Sequence, residues 1–332
     1  TSRSDSLKSE IEDILLKIRS FNNFFDLIIE IVNYPEISMA QQNIALLLLE
    51  SEIKRELKMN CFLYSTNVLK SNVFKLLRKN IQNRSLCKII QSIIFNLVIR
   101  DYPVNWPDLL NIVNELLNPN NDVLEIETGL RVLSTIVNVY KLSLNEERQP
   151  IIHLINYTFP LVGNLVIMFS KNINSNYYKC LFLIFKLFIN ANYFSLDKFF
   201  TPQIIKYWLF AALKVIEDKE GQLKYSVAHD WNEMIILENT IEHKLQEKAF
   251  ILMKNSFRLI IKLAEGNDEW VSLKDVLSSL LNYSLTYIQN YLMTLNLISN
   301  EKNIILLSST NNSAIAAISL VAQAFQFNYV IQ

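Results

Sequence analysis

Glycine is scarce in this chain: four residues in 332 positions, Gly129, Gly163, Gly221 and Gly266, all far apart. Tight hairpins and phosphate-cradling loops need positive φ, which glycine supplies at least cost. No G-x-G-x-x-G, P-loop or G-x-S-x-G motif can be drawn from the sequence, which excludes Rossmann dehydrogenases, P-loop NTPases, the usual kinases and α/β-hydrolases together. Cysteine is as thin. Cys61, Cys87 and Cys180 are odd in number and lack C-x-x-C spacing, so neither a disulfide framework nor a zinc knuckle is indicated and a reducing compartment fits. Net charge is also missing, with 32 basic against 32 acidic side chains, which argues against a whole-protein electrostatic grip on nucleic acid.

Long apolar runs are lacking too. A membrane span needs about 20 consecutive apolar residues. The run from Cys180 to Ile189 is broken by Lys186, and Ile251 to Leu263 contains Lys254, Arg258 and Lys262. The uncharged stretch from Asn303 to Gln332 has a polar centre, Ser308 to Ser313, and reads as two helix pieces joined by a loop. No membrane insertion is expected, and the polar opening from Thr1 to Glu10 carries the expectation of no signal peptide.

What is present is apolar content, 51% of the chain, enough to offset chain entropy and exclude intrinsic disorder. Apolar residues recur three and four apart almost everywhere and strict alternation is nearly absent, so the fold class is all-α. Helices are expected at 5–19, 21–34, 36–57, 66–82, 85–100, 106–118, 122–141, 146–170, 175–191, 201–217, 221–239, 244–264, 270–291 and 301–328. Tyr34-Pro35 and Tyr102-Pro103 each stop a helix, and Trp106-Pro107-Asp108 reads as a helix start with proline at its first position. Asn145-Glu146-Glu147 and Asp268-Glu269 are similar acidic starts. Taken in pairs, the segments repeat every ~40–47 residues, the spacing of HEAT or armadillo helix pairs stacked into a solenoid, an α-α superhelix. The segment 175–191 is apolar on nearly every side, as a helix sandwiched between neighbours would be.

Catalytic chemistry finds little to use. His153, His229 and His243 have no second ligand or nucleophile at i+3 or i+4, and Glu146 and Glu147, adjacent on a helix, do not face each other. No catalytic residue, metal or cofactor is expected, and the chain is read as a non-enzyme. The aromatic clusters Tyr177, Tyr178, Phe182, Phe185, Phe188 and Tyr193, Phe194, Phe199, Phe200 read as core. Charge, in contrast, is patterned. From Leu57 to Arg100 stand Lys58, Lys70, Lys75, Arg78, Lys79, Arg84, Lys88 and Arg100 with no acidic residue; from Asp101 to Leu130 stand Asp101, Asp108, Glu115, Asp122, Glu125 and Glu127 with no basic one. On helix 66–82, Leu69, Val73, Phe74, Leu77 and Ile81 share one arc, and Ser71, Asn72, Lys75, Arg78, Lys79 and Gln82 the opposite one. The polar arc is either a solvated face or a docking face for an acidic partner. A nucleic acid would want aromatics interleaved with those cations, whereas Phe74 lies on the core arc, so no direct nucleic-acid contact is expected.

The segment Arg100-Asp-Tyr-Pro-Val-Asn-Trp-Pro-Asp-Leu-Leu110 resembles the Asp-aromatic-Pro…Trp-Pro turn in the third N-terminal repeat of importin-β (karyopherin-β) nuclear transport receptors. Upstream, Pro35 to Leu49 resembles the helix that commonly reads Arg-Gln-x-Ala…Leu-Lys-Asn in that family, with Gln41 in place of the arginine and Leu49-Glu50 in place of Lys-Asn. Downstream, Val139-Tyr140 and Asn145-Glu-Glu-Arg-Gln-Pro150 resemble the fourth repeat of the large import receptors numbered seven and eight. The likeness covers residues 10 to 215.

The resemblance implies importin N-terminal-type repeats over 1–120, with HEAT-like repeats of the same solenoid continuing over 121–332. It implies a receptor that binds the small GTPase Ran in its GTP form, Phe-Gly repeats of nucleoporins in grooves such as one between helices 175–191 and 201–217, and protein cargo, shuttling between cytoplasm and nucleus through the pore. Asn72, Lys75, Arg78, Lys79 and Gln82 would then face Ran, and Asp101, Tyr102, Pro103, Trp106 and Pro107 would form the structural turn. The competing expectation is a HEAT scaffold subunit of a stable complex with no Ran binding.

Overall fold

The computed structural model describes residues 17–18, 21–140, 149–171, 173–192, 201–217, 240–264, 273–299 and 317–322. Among these every regular element is helical, and the chain divides into two compact units, Thr1–Leu109 and Leu110–Gln332. The expected helix 221–239, most of 5–19, all of 301–328 except residues 317–322, the aromatic cluster Tyr193, Phe194, Phe199 and Phe200, His229 and the acidic starts at 145–147 and 268–269 lie outside the described residues.

The first unit holds α1 (Phe24–Asn33), α2 (Met39–Met59), α3 (Asn67–Lys79) and α4 (Arg84–Asp101). α1 packs on α2 and on α3, and α4 packs on α2 and on α3. The helices therefore form two rows, α1 with α3 and α2 with α4. Helix ends follow local chemistry. Ser38 and Gln41 form a reciprocal capping box at the start of α2, with Gln41 N–H donating to Ser38 Oγ (3.3 Å) and Ser38 N–H to Gln41 Oε1 (2.9 Å), which satisfies otherwise orphaned donors. Asn60, left-handed at φ 48°, closes the same helix, a conformation that asparagine tolerates better than most side chains. α1 stops at Asn33, ahead of Pro35, and α4 at Asp101, ahead of the cis Tyr102–Pro103 bond.

The second unit holds α5 (Leu109–Leu116), α6 (Val123–Tyr140), α7 (Gln149–Lys171), α8 (Tyr178–Asn192), α9 (Pro202–Glu217), α10 (Ile241–Ala264) and α11 (Lys274–Ser299). Two rows recur: α6 and α10 flank α8, while α7 and α11 flank α9, with α7 on α8 and α10 on both α9 and α11 between the rows. α8 is the most enclosed, burying Tyr178, Cys180, Leu181, Leu183, Ile184, Phe185, Leu187, Phe188 and Ala191. Its neighbours on three sides account for the all-round apolar sequence. One described helix segment, Ile152–Lys171 in α7, is long and apolar enough to cross a membrane. Here Leu154, Ile155, Val162, Leu165, Val166 and Phe169 are buried in the unit.

Several expected helix ends move among the described residues: the helix expected over 66–82 stops at Lys79, the one expected over 270–291 runs on to Ser299, and the one expected to open at Trp106 starts later. Pro107 and Asp108 belong to a turn, and the helix begins at Leu109, because the preceding residues are held by buried side chains described below.

Candidate partner-binding surface

α3 is the element that carries the expected surface, and its two faces separate cleanly. Leu69, Val73, Phe74, Leu76 and Leu77 are buried, while Lys75, Arg78 and Lys79 are exposed and Ile81 is half-buried. Spacings of three and four put these cations on one side of the helix, and Arg78 and Lys79 in its last turn meet the negative end of its dipole. Lys75 and Lys79 pair with no described residue. Asn72, half-buried one turn before, donates its Nδ2 to the Val68 carbonyl (2.8 Å).

Gln82 departs from its expected place. It is exposed, but in the turn after α3, not on the helix. α3 closes at Lys79: Asn80, the residue after it, still donates its backbone N–H to Leu76 O (3.1 Å) and its side-chain Nδ2 to the same carbonyl (2.9 Å), but its own dihedrals are no longer helical. A helical wheel carried through residue 82 overruns this end by three residues.

The turn that follows α4 is stapled from below by buried ions. Asp101 accepts a hydrogen bond from the Thr66 hydroxyl (2.6 Å) and lies 3.3 Å from Lys70 Nζ, which also donates to Asn105 O (2.7 Å). Arg100 donates to Glu56 Oε2 and to Tyr64 O, both at 2.6 Å, and its guanidinium lies 4.7 Å from the Phe62 ring centre. Glu56 completes the set by accepting from the Leu63 and Tyr64 backbone amides. Trp106 is buried with its ring 5.9 Å from Phe74, and Tyr102 is buried so that its hydroxyl pKa is pushed up to about 12 by desolvation. Pro103 and Pro107 stay exposed. Of the eight basic residues between Leu57 and Arg100, Lys70 and Arg100 are consumed internally, so neither belongs to a surface patch. Asp101 is likewise withdrawn from the acidic run, as is Glu127, which is buried and paired with Arg131.

No protein-family model matches the chain. It is similar over 124 residues, at 27% identity, to an importin beta-like SAD2 homolog of Arabidopsis thaliana. The matched region is 36% of this chain and 12% of that protein, so the chain spans only a small part of the relative's length.

The remaining described residues read from the sequence share no site with one another. His153 is exposed and stacks beside Tyr157, and His243 is buried at the start of α10, where desolvation lowers its pKa to about 4. Cys87 and Cys180 are buried thiols and Cys61 is exposed. Tyr178, Phe185 and Phe188 are core, as expected, while Phe182 and Tyr177 are half-buried. α8 exposes no aromatic side chain that could line a groove; α9 exposes Ile204, Tyr207 and Phe210. A feature not read from the sequence is a cleft of about 560 Å³ between α1 and α3, lined in part by Asp26, Glu30, Tyr34 and Asn72. Its only sequence signal is a pair of carboxylates four apart on α1, which alone looks like any solvated helix face.

Proposed function

We propose that this chain is the binding scaffold of a nuclear transport receptor of the importin-β type, of the large import class, and that it is not an enzyme. Its partners are Ran in the GTP form, Phe-Gly nucleoporins and protein cargo, and it shuttles between cytoplasm and nucleus. One observation supports this most: a chain with local likeness to an importin beta-like protein presents the row Lys75, Arg78 and Lys79 to solvent on a helix whose other face is wholly committed to the core. The buried Asp101–Lys70 and Arg100–Glu56 pairs set the turn that fixes the end of α4 against α3. α9's exposed Ile204, Tyr207 and Phe210 are the apolar surface on which nucleoporin repeats would dock. Ran-GTP and cargo then compete through linkage, each changing the affinity for the other by the same factor.

The deciding measurement immobilises the chain and compares Ran loaded with a non-hydrolysable GTP analogue and with GDP. A preference for the GTP form of at least about tenfold is expected. Equal binding, or none, would overturn the transport reading in favour of a scaffold subunit in a stable complex.

A further inference from the structure

The cleft between α1 and α3 has a chemical bias that the basic row does not share. Its apolar lining is the buried Ile29 with the exposed Pro35 and Val68. Its rim consists of acceptors. Asp26 and Glu30 stand four apart on α1, half-buried and exposed respectively, and neither has a hydrogen-bond or ion-pair partner among the described residues. Asn33 and Asn72 have each turned their amide nitrogen back to a carbonyl four residues earlier, Ile29 O (3.0 Å) and Val68 O (2.8 Å). A carbonyl can only accept, so the orientation of both amides is forced and their oxygens are left for another donor. Tyr34, 59% exposed, adds an aromatic face at the mouth.

Two carboxylates and two amide oxygens around an apolar lining fit a cation that is rich in donors and carried on an aliphatic stem. An arginine has those properties: five N–H donors in a planar fork, weak hydration, and an affinity for aromatic faces. The geometry points to a docking cleft for an arginine side chain, flanked by apolar residues, from a segment of a partner protein. Charge complementarity selects this occupant, because the rim offers acceptors in excess and Asp26 and Glu30 repel each other until a cation lies between them. A nucleic acid is disfavoured by the same two carboxylates. Asn72 places the cleft beside Lys75 and Lys79, so this inference shares a surface with the proposed function but not a partner chemistry. A single partner touching both would present a basic segment to α1 and an acidic one to the exposed face of α3.

The test uses the full chain with 13C-labelled isoleucine and valine methyl groups, titrated with the capped peptide acetyl-Leu-Arg-Leu-amide. Saturable shifts of the Ile29 and Val68 methyl signals are expected. The twin peptide with citrulline in place of arginine keeps the shape and loses the charge, and should bind at least about tenfold more weakly. The double variant Asp26→Asn with Glu30→Gln should lose a similar factor while its melting temperature holds, since neither side chain supports the fold through a partner. Silence at Ile29 and Val68, equal shifts from the citrulline peptide, or undiminished binding by the double variant would overturn the proposal. Peptide binding without nucleotide-dependent Ran binding would leave the cleft standing and remove the transport reading; the opposite pair of results would do the reverse.

Discussion

Lys70 and Lys75 sit five residues apart on one helix and meet opposite fates. Lys75 is exposed, as the helical wheel of α3 requires, and that much is legible in the sequence. Lys70 is buried because Asp101 and Asn105 O wait for it from 31 and 35 positions away, a pairing that no local pattern announces. Removing one member of a buried ion pair leaves the other uncompensated and costs about 3–5 kcal/mol, whereas removing both can be close to neutral. Lys70→Ala and Asp101→Ala are therefore each expected to destabilise the chain by roughly 3 kcal/mol in urea unfolding, and the double variant by clearly less than the two together. Additive losses would show that the two charges do not act as a pair. A second buried group makes a pH prediction. His243 has a folded pKa near 4, below the ordinary 6.5, because burial disfavours the charged ring. The unfolded chain therefore binds the proton first, and the stability held above pH 6.5 is lost as pH falls from there towards 4, by at most about 3 kcal/mol. Thermal melts of the chain and of His243→Asn at pH 7.5 and 5.0 should show a smaller acid-induced drop in the variant.

Helices and their ends divide along the same line between local and distant causes. α8 could be recognised as enclosed from its sequence because a helix apolar on every side has no stable place except among neighbours, and α6, α7 and α10 surround it. The stops at Tyr34-Pro35 and Tyr102-Pro103 were legible because proline acts on the residue before it. Gln82 and Pro107 fall outside the helices the pattern draws for them, since α3 ends at Lys79 although its apolar spacing runs on to Ile81, and Pro107 belongs to a turn anchored by the buried Trp106. Gly129 belongs to this scale too. It lies mid-helix in α6, where alanine would raise helix propensity by about 1 kcal/mol, yet an added Cβ would stand 2.8 Å from Leu116 Cβ and 3.1 Å from Leu117 Cδ2. The glycine is what lets α5 and α6 approach closely. Gly129→Ala is expected to lower stability by about 1–3 kcal/mol despite its better propensity; a melting temperature that rises would mean that α5 moves aside freely.

For the molecule as a whole, net neutrality conceals how charge is distributed. With Lys70 and Arg100 turned inward, the basic segment still shows Lys58, Lys75, Arg78, Lys79, Arg84 and Lys88 to solvent. Single exposed ion pairs contribute only about 0–1 kcal/mol, so Lys75, Arg78 and Lys79 cannot hold a tight partner by charge. Their effect falls on the encounter: fields of this kind raise association rates ~10-fold to 1,000-fold and weaken as salt screens them, with a Debye length of about 10 Å at 0.1 M. Charge reversal at Lys75, Arg78 and Lys79 together should thus slow association with Ran-GTP by about tenfold or more at low ionic strength. It should change dissociation much less and flatten the dependence of the association rate on salt, so that variant and parent converge as salt rises. Stopped-flow traces at several salt concentrations would show this directly. An association rate that does not move would mean the acidic partner approaches elsewhere, and the exposed face of α3 would revert to a solvated helix surface.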